Sequence, residues 1–110
     1  SADGTRSGRR SVMVDCSHAN SQKQHTRQLV VVDDLCKQLT AGSSSSHHLC
    51  GVMIESHINA GSQPAPKTAE DKAALAYGVS ITDACIDFES TEHALDRLAE
   101  AVKERRRTGV

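Results

Sequence analysis

The residues of this chain best suited to chemistry are His18, Glu55 and Asp83, which stand in the segments CSHAN, IESH and ITDAC. His18 and Glu55 each follow closely on a short apolar run that has the length of a buried β-strand. The carboxyl ends of parallel strands meet at one edge of an α/β sheet, where ligands bind. A neutral imidazole and a carboxylate that converge there form half of a divalent-metal site, and Asp83 is the third candidate ligand.

Each of these residues also has a purely structural interpretation. A histidine after a strand is more often a hydrogen-bonded loop residue, and Glu55 is equally well explained as a solvated strand end. Asp83 completes the pattern Ser80-x-x-Asp83, which resembles a capping box and predicts the start of a helix. Residue types and spacing therefore lead only as far as a metal or phosphate site on an α/β fragment.

The cysteines stand at positions 16, 36, 50 and 85 and form no C-x-x-C pair, so we expect neither a structural zinc site nor a disulfide framework. We predict reduced and mostly buried thiols. Cys16 is two residues from His18 and would share its side of a strand, as a soft ligand or, preferably, as a buried thiol. His47 and His48 follow a run of serines, which favours a solvated loop over a metal site.

Two strands and two helices must position these residues. Apolar runs predict strands at residues 11–16 and 49–54, and three- and four-residue spacing predicts helices at residues 21–40 and 91–106. Residues 59–72 hold both prolines and are predicted to form a long surface loop. Gly42 is expected to end the first helix. The predicted core-facing residues are Leu29, Val32, Leu35, Cys36 and Leu39 in the first helix, and Leu95, Leu98 and Val102 in the last.

This order of elements predicts two consecutive βα units whose parallel strands are covered by helices. We divide the chain into a lead-in loop at residues 1–10, a strand and helix at 11–42, a Ser-rich linker at 43–48, and a strand, long loop and final helix at 49–110. Two parallel strands leave the sheet edges open and cannot complete an α/β fold. The sequence therefore predicts a piece of a larger structure.

Composition excludes several classes of function. The 110 residues carry a formal charge of −1 and only 2% aromatic residues, which argues against a nucleic-acid partner, even though Arg6, Arg9, Arg10 and Arg105 to Arg107 could touch phosphates. No apolar run approaches the roughly 20 residues of a membrane span. No apolar segment long enough for a signal peptide follows the basic residues near the start. We therefore expect a cytoplasmic protein without a membrane partner.

Three segments resemble, in order, the last three signature blocks of type I DAHP synthase, the feedback-regulated 3-deoxy-7-phosphoheptulonate synthase of the shikimate pathway. They are VMVDCSHANSQKQH at residues 12–25, GVMIESHINAGSQ at 51–63 and YGVSITDACIDFEST at 77–91. LAEAVKERR at residues 98–106 resembles the final helix of that family. The resemblance implies a (β/α)8 TIM barrel, of which this chain would be the last two βα units. A whole barrel takes roughly 250 residues.

The resemblance also implies a reaction and a metal. The family condenses phosphoenolpyruvate with erythrose 4-phosphate and releases phosphate, using Mn, Fe, Co or Zn held by a Cys, a His, a Glu and an Asp. By motif position His18, Glu55 and Asp83 take three of these roles, and the cysteine lies upstream rather than at Cys16. The residues that grip the two substrates are also upstream. His57, two residues beyond Glu55, is a candidate for a supporting or proton-transfer role.

Three hypotheses follow from these observations. The first is a transferase fragment that is inactive alone and whose complete protein forms homo-oligomers, as the family commonly does. The second is a truncated, non-catalytic paralogue that acts as an interaction or regulatory module. The third is an unrelated small metal- or phosphate-binding domain, which the three ordered motifs argue against. The first two differ in whether an open reading frame upstream encodes the remaining barrel strands.

Overall fold

The computed structural model describes residues 11–22, 24–41 and 48–108 of the chain. The predicted lead-in loop at residues 1–10, the predicted cap Gly42 and residues 43–47 of the predicted linker, with His47, lie outside the described residues. The elements are strand β1 (Val12–Asp15), helix α1 (Gln28–Thr40), strand β2 (Leu49–Met53), the short helix α2 (Ala69–Ala73) and the long helix α3 (Phe88–Thr108).

Strands β1 and β2 pair in parallel, which confirms the predicted α/β architecture with a parallel sheet. Val14 lies opposite Val52, and Asp15 lies opposite Met53. Two parallel neighbours need a crossover connection, and α1 lies between them in the chain. The carboxyl ends of both strands therefore lie side by side at one edge of the sheet.

The hydrophobic core lies where α1 and α3 pack together and against the sheet. The predicted face of α1 is confirmed, with Leu29 partly buried and four residues fully buried: Val32, Leu35, Cys36 and Leu39.

The predicted face of α3 is partly wrong. Leu98 and Val102 pack against the core, whereas Leu95 is 54% exposed. The buried positions are Ala94 and Ala101, whose small side chains suit close packing against α1. Leu95 is one residue, and so about 100°, around the helix from Ala94, which turns it away from the core.

The strands are less buried than their apolar sequences predict. Val12, Met13 and Met53 are 48%, 63% and 41% exposed, while Val14, Leu49 and Val52 pack against the core. Parallel strands normally have helices or other structure over both faces. In the part of the chain that the structure describes, the sheet thus carries apolar side chains that no element covers.

The predicted first helix begins later than residue 21. Two 3₁₀ turns, His18–Ser21 and His25–Arg27, precede α1. His18 and Gln22 have φ angles of 49° and 55°, in the left-handed region that a right-handed helix of L-residues does not accommodate. The chain therefore makes tight turns after β1 before it becomes helical.

The second half of the chain differs from the predictions at three points. Helix α3 begins at Phe88 rather than residue 91, because Asp87 accepts a hydrogen bond from the Ser90 amide at 2.8 Å. No helix begins at Ser80, so the capping-box prediction is wrong for this segment. Part of the predicted loop at residues 59–72 belongs to α2, whose first turn is capped by the Thr68 hydroxyl.

None of the helices within the described ranges is both long enough and apolar enough to cross a membrane.

Candidate metal centre

Three side chains meet beyond the carboxyl ends of β1 and β2. The Nε2 atom of His18 lies 3.2 Å from Asp83 Oδ2 and 3.6 Å from Glu55 Oε2. One ligand atom from each residue lies within 4.8 Å of the others. Among the described residues this is the one group of three or more His, Cys, Asp and Glu side chains with such spacing. The structure thus brings together the three residues singled out as candidate ligands.

Asp83 reaches this place because the segment before α3 runs beside the end of β2. The Ile86 amide donates to the Glu55 carbonyl at 3.0 Å, and the His57 amide donates to the Ile86 carbonyl at 2.9 Å. Ser56 and Ile86 form a parallel bridge, and Ile86 is buried. The backbone that carries Asp83 is therefore held against the backbone that carries Glu55, much as a third strand would be.

His18 is oriented by the carboxylate of Asp15, the last residue of β1. Asp15 Oδ2 lies 2.9 Å from His18 Nδ1, and Asp15 Oδ1 accepts hydrogen bonds from the Ser17 amide and hydroxyl. The bonds from Ser17 and then His18 lower the pKa of Asp15 to about 2. An ionised carboxylate can only accept, so His18 donates Nδ1–H to it. In the neutral imidazole the Nε2 atom then carries the lone pair, and this atom lies close to Glu55 and Asp83.

The same contacts raise the pKa of His18. The largest cause is the hydrogen bond to Asp15, opposed by partial desolvation and helped by the negative charges of Glu55, Asp15 and Asp83. Carboxylates therefore lie beside both ring nitrogens of His18, Asp15 at Nδ1 and Glu55 with Asp83 at Nε2. A metal ion that binds Nε2 must compete with a proton for it.

We expect Asp15→Asn to lower the pKa of His18 toward its ordinary value of 6.5, because the main cause of the raised value is removed. Since the folded-state pKa is raised, protonated His18 stabilises the fold below its ordinary pKa, and this stabilisation is lost as pH rises through the folded-state value. Asp15→Asn should therefore destabilise the chain more at pH 5 than above the folded-state pKa of His18. An NMR titration of His18 in the metal-free chain measures the shift.

The control for this titration is Asp34→Asn, because Asp34 bonds Gln38 on the exposed side of α1. That variant should leave the His18 titration unchanged. An Asp15→Asn variant whose His18 titrates as in the unmodified chain would show that Asp15 does not orient the ring.

The other candidates lie outside the group of three. His57 is exposed, and its backbone amide rather than its ring makes the contact with the neighbouring segment. Cys16 is fully buried in the core, and burial raises the pKa of its thiol to about 11, so the buried-thiol interpretation is confirmed. Of the other cysteines Cys36 is buried, Cys50 is exposed and Cys85 is intermediate, so the prediction of buried thiols is correct for two of the four cysteines. His48 is exposed.

Two residues that support the group are not among the sequence-predicted candidates. Asp15 stands three residues before His18, and the D-x-x-H spacing at a strand end was a usable signal for a carboxylate that orients a histidine. Gln28 is a polar residue one turn before Val32, on the apolar face of α1, and it is fully buried. A polar side chain on a buried helix face indicates a specific hydrogen-bonding partner in the protein interior.

The donor set suits a divalent cation. A cavity of about 40 Å³ lies among the three side chains, and no lysine or arginine is among the described residues that line it. Two carboxylates and one imidazole in contact carry excess negative charge, which a divalent ion neutralises. Imidazole and carboxylate ligands together accept several first-row metals. The Asp83 side chain is 64% exposed, so the centre is open on that side.

Comparison with known proteins relates the whole arrangement to one family. The DAHP synthetase I family profile matches residues 2–96. A tyrosine-inhibited phospho-2-dehydro-3-deoxyheptonate aldolase from Schizosaccharomyces pombe is 53% identical over 95 residues, covering 86% of this chain and 25% of that protein. The Phe-sensitive aldolase of the same name from Escherichia coli K12 is 48% identical, with the same 86% and 25% coverage.

A solved structure gives the same result. The phospho-2-dehydro-3-deoxyheptonate aldolase from Francisella tularensis SCHU S4 matches with a TM-score of 0.75 and 47% sequence identity, covering 86% of this chain and 25% of that one. The chain therefore spans about a quarter of the length of the relatives it matches.

Proposed function

This chain belongs to the DAHP synthetase I family, and on that premise we propose that it is the metal-binding C-terminal part of a 3-deoxy-7-phosphoheptulonate synthase. The complete protein would condense phosphoenolpyruvate with erythrose 4-phosphate and release phosphate. The observation that carries this proposal is the convergence of His18, Glu55 and Asp83 beyond two parallel strands. The relatives are named as enzymes of this chemistry.

We propose further that residues 11–42 and 49–110 are the last two βα units of a (β/α)8 barrel. The parallel pairing of β1 with β2 and the packing of α1 and α3 against them support this assignment. So do the uncovered apolar residues Val12, Met13 and Met53, which the inner packing and neighbouring strands of a barrel would cover. In TIM barrels the active site lies at the carboxyl ends of the strands, where the three candidate ligands stand.

His18, Glu55 and Asp83 would hold a divalent Mn, Fe, Co or Zn ion, together with a cysteine from a preceding part of the barrel. When bound, such an ion supplies Lewis-acid polarisation of the aldehyde oxygen of erythrose 4-phosphate. The protein's own groups prepare the site. Asp15 holds the Nδ1 proton of His18 and so keeps Nε2 free, while Glu55 and Asp83 supply negative charge.

His57 has a separate proposed role. His57 is exposed and follows Glu55 by two residues. We infer that an imidazole in that place carries a proton between the centre and solvent, a role that histidine side chains commonly serve.

The test is an activity assay of the protein that is encoded when the upstream coding sequence is included. A whole barrel takes roughly 250 residues. We expect phosphate release from phosphoenolpyruvate that depends on erythrose 4-phosphate, stops after chelation and returns with Mn²⁺ or Co²⁺. Glu55→Gln should lack the metal-restored activity, while Glu92→Gln, on the exposed side of α3, should keep it. Activity that survives chelation would contradict the proposal. A reading frame without further barrel strands would favour the truncated, non-catalytic paralogue.

A further inference from the structure

Gln28, the first residue of α1, bonds the main chain of Glu55 with both ends of its carboxamide. Its Oε1 accepts from the Glu55 amide at 2.8 Å, and its Nε2 donates to the Glu55 carbonyl at 3.0 Å. Gln28 is 0% exposed and is the largest of the fully buried side chains among the described residues. A buried carboxamide is costly unless its polar atoms are paired, and here both are paired with a single residue.

These bonds begin where the pairing of β1 with β2 ends. The last backbone bond between the two strand segments runs from the Cys16 amide to the Met53 carbonyl at 2.9 Å. The pairing of β1 with β2 ends at Met53, and two residues later Gln28 supplies the donor and the acceptor that a further strand residue would supply. On the other side the Ile86 amide also donates to the Glu55 carbonyl. The peptide groups of Glu55 are thus held from two directions.

We propose that Gln28 is a positioning residue that sets the place of Glu55 relative to His18 and Asp83. This rests on the proposed metal-binding role of the three residues. Gln28 follows the turns that carry His18, and Ile86 follows the segment that carries Asp83. Both segments therefore meet at the main chain of Glu55, and Gln28 lines the same cavity as the three candidate ligands.

A purely structural role would give Gln28 no effect on the metal. Gln63 provides the matched comparison, because its carboxamide makes the same kind of main-chain clamp elsewhere in the chain. Its Oε1 accepts from the Ala76 amide at 2.9 Å, and its Nε2 donates to the Ala76 carbonyl at 2.9 Å and to the Val79 carbonyl at 3.0 Å. None of these partners is a candidate ligand. Methionine replaces glutamine in either place with similar length and no hydrogen bonds.

The experiment titrates Co²⁺ into the 110-residue chain and its variants and follows the visible absorption of the ion. We expect Gln28→Met to weaken Co²⁺ affinity by roughly 10- to 100-fold, the usual cost of losing a group that supports a metal ligand, and to alter the absorption bands. Gln63→Met should stay within about twofold of the unmodified chain, since its clamp supports no ligand. Gln28→Glu keeps the acceptor for the Glu55 amide and loses the donor, so its affinity should lie between the two.

A second measurement needs no metal. Amide hydrogen exchange at Glu55 in the metal-free chain should accelerate in Gln28→Met, and should stay unchanged in Gln63→Met. Because Gln28→Glu preserves the bond to this amide, exchange there should remain close to the unmodified rate even if the methionine variant unfolds. If the Glu55 amide exchanges at the same rate in a folded Gln28→Met variant as in the unmodified chain, the proposed positioning role of Gln28 is refuted.

The outcomes also distinguish a failure of the proposed Gln28 role from a failure of the proposed metal site. If Glu55→Gln fails to weaken Co²⁺ binding, the metal site itself is wrong and the positioning role falls with it. If Glu55→Gln weakens binding while Gln28→Met and Gln63→Met behave alike, the metal site stands and the role of Gln28 is refuted.

Discussion

Removal of the His18 imidazole is expected to weaken Co²⁺ binding to this chain by more than the roughly 10- to 100-fold that follows loss of a supporting group. The reason is that His18 is the one nitrogen ligand of the group, and its Nε2 atom faces both carboxylates at 3.2 and 3.6 Å. Without it the carboxylates of Glu55 and Asp83 remain as two oxygen ligands, which hold first-row transition metals less tightly. Isothermal titration calorimetry with Co²⁺ and with Mn²⁺ measures the loss.

The choice of variant matters because the backbone of His18 has a φ of 49°. Alanine is strained in this left-handed region, whereas asparagine adopts it readily. His18→Asn therefore removes the imidazole while keeping the turn, and His18→Ala removes both. His93→Ala, on the exposed side of α3, is the control for a general loss of histidine and should bind as the unmodified chain does. A His18→Asn variant that binds with unchanged affinity would refute the ligand role.

His18 and Glu55 show what local sequence can predict about this centre. Each closely follows an apolar run, each run forms a strand, and parallel pairing then places the two residues at one edge. The inference worked because it needed only strand length and strand direction. Strand length and direction do not indicate Asp15, whose signal is instead the D-x-x-H spacing, or the left-handed turn at His18.

Asp83 and Gln28 show where local sequence fails. Ser80-x-x-Asp83 reads locally as a helix start, yet this segment pairs with residues far along the chain, through bridges such as Ser56 to Ile86. Such pairings leave no periodic signal, because one or two residues are too few to alternate. Gln28 was recognisable as polar on an apolar face, but its partner is the main chain of Glu55, which carries no sequence information.

Leu95 and the exposed strand residues have a different cause. A hydrophobic pattern predicts which side chains need burial, but not which element buries them. Leu95, Met13 and Met53 remain exposed because the described elements pack on one side only. In the proposed barrel, elements beyond the described ones would cover these side chains.

The second large effect concerns catalysis by the chain alone, which we expect to be undetectable. Both proposed substrates are phosphate esters, and binding them requires arginine or lysine side chains directed into the site. Among the residues that the structure describes, neither type lines the cavity between His18, Glu55 and Asp83. The Asp83 side of the centre is also open to solvent, so water would compete with the aldehyde for the metal. Phosphate release with Mn²⁺ or Co²⁺ present should equal the rate of the free ion.

Metal binding and phosphate release should be measured on the same preparations of the unmodified chain and of His18→Asn. Calorimetry should show that the 110-residue chain binds Co²⁺ and that His18→Asn binds it far more weakly, while the phosphate assay should show the same background rate for both. Binding without turnover would separate the metal ligands, which this chain supplies, from the substrate-binding cations, which the rest of a barrel would have to supply. Phosphate release by the unmodified chain above the His18→Asn rate would contradict this division. Substrate recognition would then have to reside in these 110 residues.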